Sequence, residues 1–191
     1  MDDGRGEPHT DEYAIAACDR VIVTRTAAQA DALTRLDTIP GVARRTAEVI
    51  VAEIGGDMTR FPTAGHAASW TGLCPGTNAS AGKRLSGRTR QANRTLRAAL
   101  VESARAAVCK RDCYLAAQYR RLVERRGDKK AIVAAAHSIL VIAYHVLRDH
   151  ESYRELGGHY FDRLNTERLT RYHTKRLTAL GYTVTLAKHA A

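Results

Sequence analysis

The segment from Cys74 to Arg97, CPGTNASAGKRLSGRTRQANRTLR, places a serine among small residues and follows it with basic ones. Ser80 lies between two alanines, and Gly82 and Lys83 come next. A serine hydroxyl attacks a phosphate when a base or a metal activates it, and cations stabilise the charge on the phosphoryl oxygens. Serine beside glycine is also an ordinary turn residue. The segment is therefore either a connecting loop or a loop that holds a phosphate.

A second phosphate-binding pattern precedes it in LDTIPGVARRTAEVIVAEIG. A Pro-Gly turn followed by apolar residues at helical spacing predicts a helix-hairpin-helix over residues 33–56. The backbone N–H groups that begin the second helix of such a motif bind a backbone phosphate without contacting a base. The predicted contacts are Gly41, Arg44 and Arg45. Ala43 stands where such hairpins usually have a second glycine, and an ordinary helical corner is the alternative.

Composition and charge point to a polyanionic partner. The chain is 45% hydrophobic and only 6% aromatic, which favours packed helices over a β-sandwich. Thirty Lys and Arg against twenty Asp and Glu give a formal net charge of +10. Fifteen of the cations lie between residues 83 and 130 with four acids, more than paired surface charges explain, although a solvated charged face is the alternative. We predict that nucleic acid is bound by Lys83, Arg84, Arg88, Arg90, Arg94 and Arg97.

Helical periodicity runs through most of the chain, so we predict an all-α fold in which a basic helical bundle follows the helix-hairpin-helix. Three predicted helices cover residues 13–35, 93–110 and 128–147. Three more are predicted in the segments TAGHAASWTGL, CYLAAQYRRLVERRG and TERLTRYHTKRLTAL. The candidate N-caps are Asn93, Asp112, Asp128 and Asn165. The alternation in YTVTL predicts one short C-terminal strand. The apolar run AIVAAAHSILVIAYHVL contains two histidines, and we interpret it as a buried helix rather than a membrane span.

The four cysteines form no CxxC pair and have no histidines at metal-ligand spacing, which indicates neither a zinc site nor a disulfide framework. His137 and His145 are interpreted as core or interface residues. The N-terminal segment is polar and acidic, unlike a signal peptide. We expect a cytoplasmic protein without a membrane partner. We predict a partly disordered tail and linker helix over residues 1–32 and one domain over 33–187, with its serine loop at 74–92.

The order of these motifs, together with AHSILVIAYHVL and YRELGGHYFDRL, resembles the C-terminal domain of the IS-one-ten insertion-sequence transposases, the bridge-RNA-guided recombinases. The resemblance covers nearly all of residues 33–187. It implies an enzyme in which an N-terminal RuvC-like domain carries four acidic metal ligands, and a C-terminal serine attacks a DNA phosphate to form a transient phosphoserine link.

In this family pattern Ser80 occupies the position of the nucleophile, between Pro75 and Lys83. Ala92 stands where the family usually has glycine. Further positions that match the pattern are Gly82, Gly87, Asn93, Leu96 and Arg97. The resemblance also implies a guide RNA partner and a homo-oligomer in the complete enzyme, with Mg²⁺ expected only where the RuvC-like domain is present and no cofactor in this chain.

Because the sequence shows no clustered carboxylates, we expect this chain to be the DNA-binding part of a transposase, a truncated copy that is inactive alone. Two alternatives stay open at this point. The chain either joins a separately encoded catalytic half, or it is a non-catalytic basic helical module that binds nucleic acid.

Overall fold

The computed structural model describes residues 10–76, 78–86, 89 and 92–187. Most of this part of the chain is helical. The helices are α1 (Thr10–Thr26), α2 (Ala30–Asp37), α3 (Arg44–Ile54), α4 (Ala64–Trp70), α5 (Arg94–Cys109), α6 (Tyr114–Arg126), α7 (Asp128–Asp149), α8 (Tyr160–Leu164) and α9 (Thr166–Ala179). Short 3-10 helices cover Ala27–Gln29 and Met58–Arg60. Strands β1 (Asn78–Ser80) and β2 (Lys83–Ser86) pair antiparallel in a two-stranded hairpin.

Helix α7 forms the centre of the core, and it packs against α2, α4, α5 and α6. Its many alanines let the neighbouring helices approach closely, and Leu140, Ala143 and Leu147 are almost fully buried. By length and composition α7 would be able to cross a membrane, but 56% of its most apolar window is buried inside the fold. The all-α prediction and the interpretation of this run as a buried helix are therefore confirmed.

The helix-hairpin-helix consists of α2, a turn and α3. The N–H of Val42 donates to the carbonyl of Ile39 at 3.0 Å across the Pro40–Gly41 step, and Gly41 has φ +82°. Proline followed by a left-handed glycine is the sequence that a type II turn requires. The turn packs against α5, where the Ser103 hydroxyl donates to Thr46 Oγ1 at 3.1 Å.

Several predicted boundaries differ from the structure. The helix expected over residues 13–35 is interrupted by the 3-10 helix at Ala27–Gln29. The N-cap of α5 is Asn93 as predicted, with a side-chain hydrogen bond, whereas Asn165 holds the N-cap position of α9 without one. The predicted N-caps Asp112 and Asp128 are wrong. Cys113 holds the N-cap position of α6, and Gly127 holds that of α7, in which Asp128 is the first helical residue.

The prediction of a C-terminal strand in YTVTL is also wrong, because residues 182–186 form no strand in the described structure. A strand needs a partner edge for its N–H and C=O groups, and no described strand pairs with this segment. The preceding helix α9 has no buried residue and follows α8 at the edge of the bundle. The described strands lie instead within the serine segment, where the sequence predicted a loop.

Candidate nucleic-acid interface

The serine segment folds as a β-hairpin with Ser80 at its tip. Ser80 pairs with Lys83 across a two-residue turn. Both turn residues have positive φ, +48° at Ala81 and +74° at Gly82, which is the backbone of a type I′ turn. All four tip residues are exposed. The predicted nucleophile therefore lies on a small protruding hairpin.

Among the described residues, none activates the exposed hydroxyl of Ser80. No described residue hydrogen-bonds Ser80 Oγ, and a Cβ added to Gly82 would meet no described atom within 4 Å. Within the described ranges, no group of three or more His, Cys, Asp and Glu side chains is suited to hold a metal ion. Activation of the hydroxyl needs a base or metal that these residues do not provide. The donor set here does not fit a Mg²⁺ site.

The base of the hairpin is joined to α5. Pro75 and Thr89 form an isolated antiparallel bridge below the two strands. Asn93 then begins α5, because its Oδ1 accepts from the N–H of Leu96 at 2.9 Å. The Nδ2 group of Asn93 donates to Glu53, which ties the start of α5 to α3. The hairpin is thus carried by the first turn of a core helix.

An open groove of about 620 Å³ begins at the hairpin base and runs between α5, α6 and α7. We call it the basic groove. It is lined by Leu73, Pro75, Thr89, Arg97, Gln118, Leu122, Arg126, Lys129, Lys130, Val133, Ala134, His137 and Ser138. Four of these residues are cations and none is a carboxylate. A concave surface of one charge sign focuses an electrostatic potential that attracts the opposite charge.

The groove cations form no ion pair with a described residue. The nearest acid in sequence, Asp128, is held by other groups: its Oδ2 accepts from Arg105 at 3.1 Å and its Oδ1 from the Tyr119 hydroxyl at 2.9 Å. The pKa of Asp128 is kept below its ordinary value of 3.8 mainly by the hydrogen bond from Tyr119 and then by that from Arg105. Asp128 stays charged near neutral pH, but its charge is directed toward Arg105.

One wall of the basic groove is polar and uncharged. Burial lowers the pKa of His137 from its ordinary value, so its imidazole is neutral at pH 7. Its Nε2 lies 4.0 Å from Cys74 Sγ. Beside it, Gln118 Nε2 donates to Ser138 Oγ at 2.9 Å. This wall supplies hydrogen-bonding groups rather than charge.

Unlike the groove cations, the two arginines of the helix-hairpin-helix form ion pairs with carboxylates. Arg44 Nε donates to Glu48 Oε1 at 2.9 Å, and Arg45 NH1 lies 3.4 Å from Glu48 Oε2 and 3.6 Å from Asp19 Oδ1. The Cα hydrogen of Gly41 faces α5, where a Cβ would come within 2.8 Å of the Ala107 nitrogen. Packing explains this glycine. Phosphate binding by Gly41, Arg44 and Arg45 stays a prediction, and the carboxylates beside both arginines oppose it.

The other predicted contacts are dispersed. Lys83 lies at the hairpin tip and Arg94 on the first turn of α5, both exposed, whereas Arg97 lines the basic groove. Arg84 lies in β2, and Arg88 and Arg90 lie outside the described residues.

Arg126, Lys129 and Lys130 were not among the binding residues predicted individually from the sequence. For Lys130 a helical signal exists on α7, where one face carries Lys130, Val133, Ala134, His137 and Ser138 at the spacing i, i+3, i+4, i+7 and i+8.

Comparison with known proteins finds similarity to a transposase family. Residues 33–120, from within α2 to the middle of α6, match the model of the Transposase IS116/IS110/IS902 family. This match over just under half of the chain supports a fragment of an IS110-family transposase. The resemblance that the sequence motifs indicated is thereby confirmed, and Ser80, Arg97 and Gln118 lie inside the matched segment, whereas Arg126, Lys129 and Lys130 follow it.

Relatives from two bacteria show the same similarity. The chain is 34% identical over 116 residues to an uncharacterized 43.6 kDa protein of insertion element IS110 from Streptomyces coelicolor, covering 60% of this chain and 28% of that protein. It is 33% identical over 128 residues to the transposase for insertion sequence element IS1111A from Coxiella burnetii, covering 63% of this chain and 34% of the relative. The chain spans about a third of the length of these relatives.

Proposed function

We propose that this chain is a DNA-contacting part of an insertion-sequence transposase and that the basic groove holds the phosphate backbone. The observation that carries the proposal is the continuity of the groove with the serine hairpin. Pro75 and Thr89 line the groove and also form the bridge at the hairpin base. A strand whose phosphates lie on the groove cations would therefore pass close to the hairpin that bears Ser80.

Electrostatics supports the groove over the helix-hairpin-helix as the main contact. A cation that already pairs with a carboxylate gains less from a phosphate, because the carboxylate must be displaced or must repel the anion. Arg44 and Arg45 have that cost, since both contact Glu48. Arg126, Lys129 and Lys130 form no ion pair with a described acid, although the charge of Lys129 helps to lower the pKa of the neighbouring Asp128. A phosphate therefore adds a favourable interaction at each without displacing a carboxylate.

The proposed role of Ser80 is nucleophilic. Its Oγ would attack phosphorus and break the bond to the 3′ oxygen, which takes up a proton and leaves as a 3′ hydroxyl. A second 3′ hydroxyl would then attack the phosphoserine phosphorus, forming a new phosphodiester and releasing Ser80 Oγ, which regains a proton. The exposed tip suits this role because a phosphate approaches Ser80 without steric hindrance from described residues. The hydroxyl proton must pass to a base outside the described residues, and we assign no metal-dependent step to this part of the chain.

The family resemblance supports two further elements of the proposal. Pairing with a guide RNA would choose the target sequence, since the groove offers cations and a mixed wall rather than an array for base contacts in a duplex groove. The complete enzyme would act as a homo-oligomer.

The proposal is tested by titrating the purified chain with a fluorescein-labelled DNA duplex and following anisotropy at several salt concentrations. We expect binding at low salt that weakens steeply as salt rises, because each neutralised phosphate releases condensed counterions. No binding at low salt, or binding independent of salt, contradicts the proposal.

A non-catalytic nucleic-acid-binding module is the second candidate. The basic groove favours it, because cations that bind phosphates there need no contribution from Ser80. The two candidates differ in whether Ser80 is needed for strand transfer.

A further inference from the structure

The basic groove combines two kinds of surface that a phosphate backbone alone would not need. Its outer part carries the exposed cations Arg126, Lys129 and Lys130. Its inner part is apolar and is formed by Leu122, Val133 and Ala134, each only partly buried by the protein. Partly exposed apolar surface beside cations that form no ion pair with a described residue indicates a ligand that has an apolar part and an anionic part.

A nucleotide has both parts in the required arrangement, because its base presents two apolar faces and the adjoining phosphates carry the charge. The volume of the groove, about 620 Å³, falls in the range of roughly 300–1,000 Å³ that is typical of small-molecule sites. The wall also contains groups that can meet the polar edge of a base, Ser138 and the neutral His137, with the Gln118 amide behind them.

We propose that the basic groove holds one unstacked nucleotide of the bound DNA, with its base against Leu122, Val133 and Ala134 and its flanking phosphates on Arg126, Lys129 and Lys130. This inference rests on the proposed function, since it names what part of the DNA enters the groove. Such a site would draw one base out of its stack beside the serine hairpin, as in proteins that flip a nucleotide into a pocket lined by aromatic or apolar side chains.

The structure offers a matched pair of variants for the test. Ala134→Phe fills the apolar part of the groove and changes no charge. Ala106→Phe makes the same change at an exposed position of α5 outside the groove lining. Each variant is first compared with the wild type by circular dichroism, and Ala134→Ser, which leaves the space open, serves as a further control at the same position.

The ligands are two single-stranded DNA oligonucleotides with the same number of phosphates, one with thymine bases and one with a run of abasic sites. We expect the wild-type chain and Ala106→Phe to bind the thymine strand about tenfold more tightly than the abasic strand, because a buried base adds to affinity. We expect Ala134→Phe to lose this ratio, with abasic-strand affinity unchanged, and Ala134→Ser to retain it.

Three results would overturn the inference. A wild-type chain that binds both strands equally well has no site for a base, although the proposed backbone binding would stand. A ratio that Ala134→Phe leaves unchanged places the base elsewhere on the protein. A chain that binds the DNA duplex but neither single strand has no site for an unstacked nucleotide, whereas failure to bind the duplex as well refutes the proposed function.

Discussion

Gly41 and the carbonyl of Ser103 lie so close together that a Cβ on Gly41 would overlap the Ser103 oxygen. The contact joins the turn of the helix-hairpin-helix to α5, the helix that carries the serine hairpin at its start. Position 41 is therefore restricted to glycine twice, by its φ of +82° and by this packing.

Gly41→Ala is expected to lower the free energy of unfolding by about 2–4 kcal/mol, because α5 or the turn must move to admit the methyl group. Gly82→Ala is the matched control. Its φ is also positive, at +74°, but no described atom lies within 4 Å of the added Cβ. We expect that control to cost about 1–2 kcal/mol, from its backbone conformation alone. Urea denaturation followed by circular dichroism measures both, and equal losses in the two variants would contradict the packing account.

The Asp128 carboxylate is expected to make the stability of the fold depend on pH in the acidic range. Its pKa is lowered in the folded chain, chiefly by the hydrogen bond from Tyr119 and then by that from Arg105, so the unfolded chain binds more protons around pH 3.8. Its contribution is present above that pH and is lost as pH falls through the lower folded-state pKa. Melting temperatures of the wild type and Asp128→Asn from pH 6 to pH 2.5 should therefore converge at the acid end. A constant separation across this range would show that the carboxylate charge is not involved.

Ser80→Ala is expected to leave DNA affinity within about twofold of the wild type, because an uncharged hydroxyl adds little to binding dominated by phosphate neutralisation. In a transposase that contains this segment, the same change should abolish strand transfer. Ser86→Ala, in the second strand of the hairpin, is the control and should retain transfer. If Ser86→Ala loses strand transfer while Ser80→Ala keeps full activity, the assignment of the nucleophile to Ser80 is wrong. Full activity in both variants would favour the non-catalytic module.

The helices and the core could be predicted from the sequence because they depend on local periodicity. Asn93 was found as an N-cap from its residue type, and the alanine-rich run of α7 was found from its composition. The hairpin was missed because its turn is Ala81–Gly82, which lacks the Asn-Gly or Asp-Gly signal of a type I′ turn. The YTVTL strand was predicted from alternation alone, which says nothing about whether a partner edge exists.

The basic groove could not be predicted because it exists only where three helices meet. The sequence showed a high density of cations over residues 83–130 but not which of them pair with acids. Arg105 contacts Asp128 across 23 positions, and Arg45 contacts Asp19 across 26, so both pairings depend on tertiary structure. The groove cations, which form no ion pair with a described residue, became identifiable only in three dimensions; they are Arg97, Arg126, Lys129 and Lys130.

The central claim is that DNA is bound through the basic groove, and a charge-matched comparison of two triple variants tests it most directly. Arg126→Gln with Lys129→Gln and Lys130→Gln removes three groove cations. Arg20→Gln with Arg25→Gln and Arg60→Gln removes three exposed cations outside the groove lining, so the net charge of the two proteins is the same.

Anisotropy titrations with the DNA duplex at 50–200 mM salt give affinity and its salt dependence for each protein. The groove variant should bind at least about tenfold more weakly at low salt, and the slope of log K against log salt should become shallower by about 2–3. The control variant should keep most of the wild-type affinity and slope. Equal losses in both variants would show that net charge rather than the groove governs binding, and an unchanged groove variant would contradict the claim outright.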